Sequence, residues 1–235
     1  MPTTQKIFGL GRPTPGVSWD DIVPVMQTEA AHVWSLYEQD VMRDAWLRTD
    51  ALGTVYVLEA DPSQASRLLA AQPMAQHGLV DFEVVPVGPF TPLSLMFGTQ
   101  PQPITAAARP AAGEHPSTRV LALDGQRNEV AIEDLAPHLA DEATHAWSLW
   151  KAGIVRESYL RTDRAGVALV LEVAGQSEAR AVLSDLPLVR AGLIDFEYMS
   201  LATFTGFDAL FEGSLDDTPE PLADPTQNPD RSHCP

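Results

Sequence analysis

Residues 29–59, EAAHVWSLYEQDVMRDAWLRTDALGTVYVLE, align without a gap onto residues 142–172, EATHAWSLWKAGIVRESYLRTDRAGVALVLE. Of these 31 positions 15 are identical, among them Glu29 with Glu142, His32 with His145, Arg43 with Arg156, and the Leu-Arg-Thr-Asp run at 47–50 with that at 160–163. The match continues outward, from 19–24 onto 132–137 and, after one inserted residue, from 78–83 onto 192–197. A period near 113 residues is too long for a solenoid and right for a small domain. Fold and function are therefore to be sought in one unit and in its pairing with the other.

Composition is that of a soluble globular protein, with 45% hydrophobic and 20% charged residues. No apolar run approaches the ~20 residues of a membrane span. The N-terminus shows no basic region followed by an apolar stretch, so no secretion signal is expected, and the expected location is cytoplasmic. The lone cysteine, Cys234, can form no internal disulfide. A net charge of −17 argues against nucleic acid or an anionic membrane as partner, because phosphate binding depends on Lys and Arg.

Short apolar runs at 7–10 and 120–123 read as first strands. Over 19–39 the apolar residues Ile22, Met26, Ala30, Val33, Trp34 and Tyr37 recur at three and four, after Ser18 as N-cap with Asp21 at the capping-box position. This predicts a long amphipathic helix, repeated over 132–152. Segments 41–49 and 54–60 flank Asp50-Ala51-Leu52-Gly53 and read as a hairpin, repeated at 154–162 and 167–173. A short helix at 63–72 ends at Pro73 and precedes a strand at 79–87; 177–185, Pro187 and 193–201 repeat that order.

The order β-α-β-β-α-β is the ferredoxin-like split βαβ unit, a four-stranded antiparallel sheet with two helices on one face. Strands such as Val55-Tyr56-Val57-Leu58 and Ala168-Leu169-Val170-Leu171 are apolar on both phases, so both sheet faces are buried. The fold class expected is α+β, with two ferredoxin-like βαββαβ repeats packed sheet to sheet as an intramolecular dimeric α+β barrel. The domains expected are repeat 1 at 1–98, a Pro/Ala-rich linker at 99–117, repeat 2 at 118–213, and an acidic, Pro-rich disordered tail at 214–235.

The stretch Gly153-Ile154-Val155-Arg156-Glu157-Ser158-Tyr159-Leu160-Arg161, then Leu186-Pro187-Leu188 and Asp195-Phe196-Glu197, resembles the muconolactone isomerase family of the dimeric α+β barrel superfamily. The resemblance covers both units but not linker or tail, and the first unit departs from it at Asp40 and at Gln72-Pro73-Met74. It implies a ligand pocket in each unit between sheet and helices, and an isomerase that moves a proton within an unsaturated lactone or related hydrophobic carboxylated substrate, with no metal and no cofactor.

Such chemistry needs a base that takes and returns a proton and a donor that stabilises enolate-like charge. The catalytic candidates are Glu29 with His32 and Glu142 with His145, three apart on one side of the long helix. The substrate-binding candidates are Arg43 and Arg156, whose planar fork suits a carboxylate, with Trp46 and Tyr159 as aromatic walls. The plainer readings are an ion pair of Arg43 with Glu59 and of Arg156 with Glu172, and core packing of the aromatics. Asp81 with Glu83 and Asp195 with Glu197 point to one face of the last strand, where pairing with Arg48 and Arg161 is the simple account.

No metal-ligand spacing, phosphate loop or nucleophile elbow is present. Two rival functions stay open. One is a cofactor-independent oxygenase or cyclase of a biosynthetic pathway, holding an aromatic substrate near Trp46, Tyr159 or His145. The other is a non-catalytic ligand-binding or structural pseudo-dimer, its pockets filled by Trp34, Tyr37, Trp147 and Trp150. Either way the expected partners are a small molecule and, within the chain, the other unit, with further homo-oligomers open.

Overall fold

The computed structural model describes residues 4–91, 118–125, 130 and 132–211; the linker expected at 99–117 and the tail expected at 214–235 lie outside the described residues. The first half runs β1 (Gln5–Pro13), α1 (Trp19–Glu38), β2 (Met42–Arg48), β3 (Thr54–Ala60), α2 (Pro62–Ala70), α3 (Pro73–Gln76) and β4 (Val80–Pro89). The second runs β5 (Thr118–Gly125), α4 (Ile132–Leu135), a 3-10 turn (Ala136–His138), α5 (Leu139–Lys151), β6 (Val155–Arg161), β7 (Val167–Val173), α6 (Gln176–Leu183), α7 (Pro187–Arg190) and β8 (Asp195–Thr203). A 3-10 turn at Gly206–Leu210 follows. This is a mixed α+β fold with a large antiparallel sheet and several helices, consistent with a ferredoxin-like α+β architecture.

One helix differs from its expected form, for a local reason. At the start of α1 the Ser18 N–H and hydroxyl both donate to the Asp21 carboxylate, at 2.9 and 2.7 Å, and the helix runs unbroken through Pro24. The residue aligned with Ser18 is Ala131, which has no side-chain oxygen. There the helix expected over 132–152 breaks at Pro137 into α4, a 3-10 turn and α5.

The strands close into a ring in the order β1-β3-β2-β8-β5-β7-β6-β4. Side chains alternate across each strand, so one phase points inward and the other toward the helices. The inward phase gives one cluster drawn from both halves: Phe8, Leu10, Trp46, Val55, Val57, Val85 and Val87 with Leu121, Leu123, Ala168, Val170, Met199 and Leu201. The outward phase gives two separate layers. In the first half Ile7, Tyr56 and Leu58 meet Val33, Leu36 and Leu69 of the helices. In the second, Val120, Leu169 and Leu171 meet Leu149, Ala179 and Leu183.

Each half joins the other through a strand pair three residues long. In β2–β8 the partners are Trp46 with Thr203, Leu47 with Ala202 and Arg48 with Leu201. In β4–β6 they are Val87 with Arg161, Gly88 with Leu160 and Pro89 with Tyr159. The repeated Leu-Arg-Thr-Asp run extends both. Thr49 N–H donates to Ser200 O at 3.0 Å, and Asp50 accepts from Ser200 N–H at 3.1 Å and from Arg48 Nη2 at 2.6 Å. In the other junction Thr162 N–H donates to Pro86 O at 3.0 Å, and Asp163 accepts from Arg161 Nη2 at 2.7 Å and Nε at 3.0 Å. Burial raises the pKa of both aspartates, but the hydrogen bonds and the arginine charge outweigh it and hold both below the usual carboxylate range. Arg48 and Arg161 therefore pair within their own turns, and not with the acids of β4 and β8 as expected.

Arg48 and Arg161 keep only 10% and 6% of their side-chain surface. Charge-assisted hydrogen bonds in such places are worth about 1.5–3 kcal/mol. Arg48→Ala and Arg161→Ala should each lower the stability measured by urea unfolding by about that amount. Arg43→Ala, which breaks a solvent-exposed pair of the same chemistry, should leave the midpoint nearly unchanged.

Candidate functional site at one mouth of the barrel

The residues kept in both copies are held by the framework. Glu29 is buried on α1 and accepts from Met74 N–H at 2.9 Å and from the Tyr56 hydroxyl at 3.2 Å. Glu142 accepts from Leu188 N–H at 2.9 Å in the same way. Each carboxylate thus satisfies a free N–H in the first turn of a short proline-started helix, α3 or α7. Burial raises the Glu29 pKa against those two hydrogen bonds, and pushes Glu142, which lacks the tyrosine, to about 6. Leu169 stands where the first half has Tyr56.

His32 and His145 are half-buried. His32 Nε2 is buried without a hydrogen-bond partner among the described residues, and burial lowers the His32 pKa. Arg43 Nε donates to Glu59 at 2.8 Å and Nη1 to Asp40 at 2.9 Å, while Arg156 Nε lies 3.0 Å from Glu172. Both arginines sit at irregularities in the pairing of their strands, between Met42 and Asp44 and between Val155 and Glu157. The plainer ion-pair reading of these arginines is the one the geometry displays.

Trp46 and Tyr159 belong to the barrel interior. Trp46 is 5% exposed, and Tyr159 packs edge-on against Phe8 with ring centroids 5.8 Å apart. The Tyr159 hydroxyl donates to Glu157 and accepts from Lys6 Nζ, and Lys6 lies 3.4 Å from Glu157. Across the barrel the aligned Arg119 lies 3.9 Å from Asp44 and over the Trp46 ring at 5.9 Å. One mouth of the barrel thus carries two related sets of mutually paired charges.

The other mouth is different. Arg12, ending β1, donates to both Glu197 oxygens at 2.8 and 3.0 Å and reaches Glu83 at 3.4 Å. Beside this bridge lies a cleft of about 330 Å³ lined by Glu83, Leu123, Asp124, Arg161, Asp163, Arg164 and Glu197. Asp124 is only 9% exposed, and no hydrogen bond from a described residue reaches its carboxylate. The guanidiniums beside it are committed elsewhere: Arg161 to Asp163, and Arg164 to the main-chain carbonyls of Asp124 and Ala165. Burial pushes the Asp124 pKa up to about 6, opposed by Arg164 and Arg161 and reinforced by Asp195.

This mouth is where the copies diverge. Asp124 aligns with Gly11, Arg164 with Ala51, and Arg12 with Gly125. Gly53 (φ +141) brings its Cα so close to β1 that a Cβ would lie 2.4 Å from Gly11 O. At the aligned Gly166 (φ +151) the nearest atom to such a Cβ is the Asp124 carboxylate, at 3.0 Å. The second copy thus places a carboxylate where the first has bare backbone. Weighting identical positions misses it; comparing the copies for charges present in only one finds it.

No protein-family model and no curated protein matches the chain. Among solved structures, a double mutant of the chlorite dismutase of Candidatus Nitrospira defluvii superposes with a TM-score of 0.55 at 13% identity, over 88% of this chain and 94% of that one. A protein assigned as a chlorite dismutase gives 0.55 at 10%, over 88% and 98%. A haem-binding protein of Thermus thermophilus gives 0.47 at 10%, over 88% and 93%. At such identities the likeness concerns the fold alone.

The two neighbours at 0.55 are a chlorite dismutase and a protein assigned as one, not muconolactone isomerases, which corrects the muconolactone isomerase resemblance and the isomerase reading built on it. The residues that carried it are framework. Gly153 (φ +74) turns the chain after α5, Pro187 starts α7, and Phe196 fills the outer layer. The rival readings fail as well. Trp46 is packed in the barrel interior, and the Tyr159 hydroxyl is taken by Lys6 and Glu157, which leaves neither as the wall of an aromatic-substrate pocket. Trp34 and Trp150, expected to fill the pockets of a pseudo-dimer, are 48% and 36% exposed. No described helix is long and apolar enough to cross a membrane.

Glu142 gives a signed expectation. Its folded pKa, about 6, lies above the ordinary 4.5, so its contribution is full below pH 4.5 and is lost as pH rises through 6. The loss amounts to at most about 2 kcal/mol. Glu142→Gln, which keeps an acceptor for Leu188 N–H, should flatten the stability profile between pH 4.5 and 7, measured by urea unfolding at a series of pH values.

Proposed function

We propose that this chain binds a small-molecule substrate at the Asp124 mouth of its barrel. The observation that carries the reading is the Asp124 carboxylate, nine-tenths buried, in the wall of an open cleft, and unmatched by any hydrogen bond from a described residue. Burial of the residue disfavours its charge, and a ligand that supplies donors to the carboxylate offsets that cost. At the opposite mouth the charges of the described residues are paired with one another. A net charge of −17 keeps nucleic acid and anionic lipid out of this reading. A cytoplasmic setting and a single cysteine, Cys234, are consistent with it.

The same reading takes the two halves as copies of one ferredoxin-like βαββαβ unit joined as an intramolecular barrel. In support, the ring order splits into β4-β1-β3-β2 and β8-β5-β7-β6, the same sequence of equivalent strands.

Haem, which the Thermus thermophilus neighbour binds, finds a poor seat among the described residues. The cleft holds no imidazole, thiolate, thioether or phenol to ligate iron, and its four carboxylates would oppose the propionates. His32 and His145 stand beside helix–sheet layers already filled by side chains such as Leu36, Leu69, Leu149 and Leu183. Titration with haemin should give no stoichiometric Soret shift. A stoichiometric shift abolished by His32→Ala or His145→Ala would mean that a layer opens for the group.

The reading is tested by amide chemical-shift mapping with a mixed set of small amines, carboxylates and sugars. Binding should perturb amides of Asp124, Arg164, Gly166 and Glu197. Perturbations confined to the layer around Glu142 and His145 would overturn it.

A further inference from the structure

We infer that the group received at this mouth is an organic cation, an amine or a guanidinium, held by the Asp124 carboxylate. The inference deepens the barrel-mouth reading and rests on it.

Three observations fix the sign of the charge. Four carboxylates line the cleft, those of Glu83, Asp124, Asp163 and Glu197, against two guanidiniums, those of Arg161 and Arg164. The guanidiniums have part of their N–H groups in use. Arg161 spends Nε and Nη2 on Asp163, Arg164 donates Nη1 and Nη2 to main-chain carbonyls, and Arg12 on the rim is taken by Glu197 and Glu83. The acceptors are less used: Asp124 has no donor among the described residues, and Glu83 has only the long 3.4 Å contact to Arg12. Asp124 is therefore the acceptor left without a donor, and a cationic N–H group supplies one in its strongest form.

The cation is organic. Among the described residues no group of three or more His, Cys, Asp or Glu side chains could hold a metal ion. Leu123 gives the cleft one apolar wall, on which a short alkyl stem can lie. A volume of about 330 Å³ is at the small end of ligand pockets, so the ligand is a short amine or guanidine.

Every charged group around Asp124 bears on the pH dependence. Arg161 ends β6 and Arg164 lies in the following turn; both favour the ionised acid. Asp195 and Glu197 on β8, Asp163 in the turn and Glu83 on β4 carry the opposite charge. With the Asp124 pKa near 6, about a tenth of the molecules are ionised at pH 5 and nearly all at pH 8. Cation binding should therefore tighten about tenfold between these values.

The test is isothermal titration of the full chain with agmatine and with butylammonium, against succinate as the anionic control, at pH 5 and 8. The expected result is binding of one or both cations, tighter at pH 8. Asp124→Asn should weaken it at least about tenfold. Arg164→Gln, which removes a repelling charge, should tighten it at pH 8, where Asp124 is ionised. Thermal melts of both variants check that they are folded. Cation binding unchanged in a folded Asp124→Asn protein overturns the inference. Succinate bound with shifts at Asp124 and Gly166, and both cations refused, overturns the ligand class and leaves the barrel mouth as the site. No binding of either sign, with no mixture component perturbing those amides, overturns both.

Discussion

Two strand junctions of three residue pairs each turn two half-sheets into one closed barrel, and the rest of the molecule follows from that closure. The inward face of either half, Phe8, Leu10, Val55, Val57, Val85 and Val87 on one side and Leu121, Leu123, Ala168, Val170, Met199 and Leu201 on the other, has no partner except its counterpart. Separating the halves would expose both faces to water and leave edge strands unpaired. The arginine-aspartate pair in the turn after β2, and its repeat in the turn after β6, brace the two turns that lie at the junctions between the halves. That explains why Leu-Arg-Thr-Asp is unchanged in both copies.

The closure also decides where a site can form. Among the described residues, charged side chains from both halves converge at the two ends of the barrel. At one end Lys6, Glu157 and Tyr159, and across from them Arg119 and Asp44, neutralise one another. At the other, Arg12 ties Glu83 to Glu197, the aligned residues of the two last strands, and beside that bridge the second copy inserts Asp124 and Arg164. The two aligned stretches of sequence differ at these positions, so the charges appear at one of them and not at the other.

Much of the fold was legible in the sequence. The periodicities placed α1, β3 and β7 with close to their observed ends, and the two-phase apolar strands required a cover on both sheet faces, which the closed ring provides. The broken start of the second long helix was less visible, because it breaks at Pro137 while α1 runs unbroken through the aligned Pro24. The site was harder to read. Glu29 and Glu142 looked like acids for proton transfer; their oxygens are engaged by the main chain of α3 and α7, a long-range contact that no local pattern encodes. Identity between copies reported what each half needs in order to fold. The charges at Asp124, Arg164 and Arg12 were visible in the alignment only as differences.

The account rests on the two halves sharing one interior, and differential scanning calorimetry tests this most directly. A shared barrel core predicts a single transition whose calorimetric enthalpy equals its van't Hoff enthalpy. Two resolved transitions, or a calorimetric enthalpy near twice the van't Hoff value, would mean that the halves unfold independently and would contradict the closed barrel.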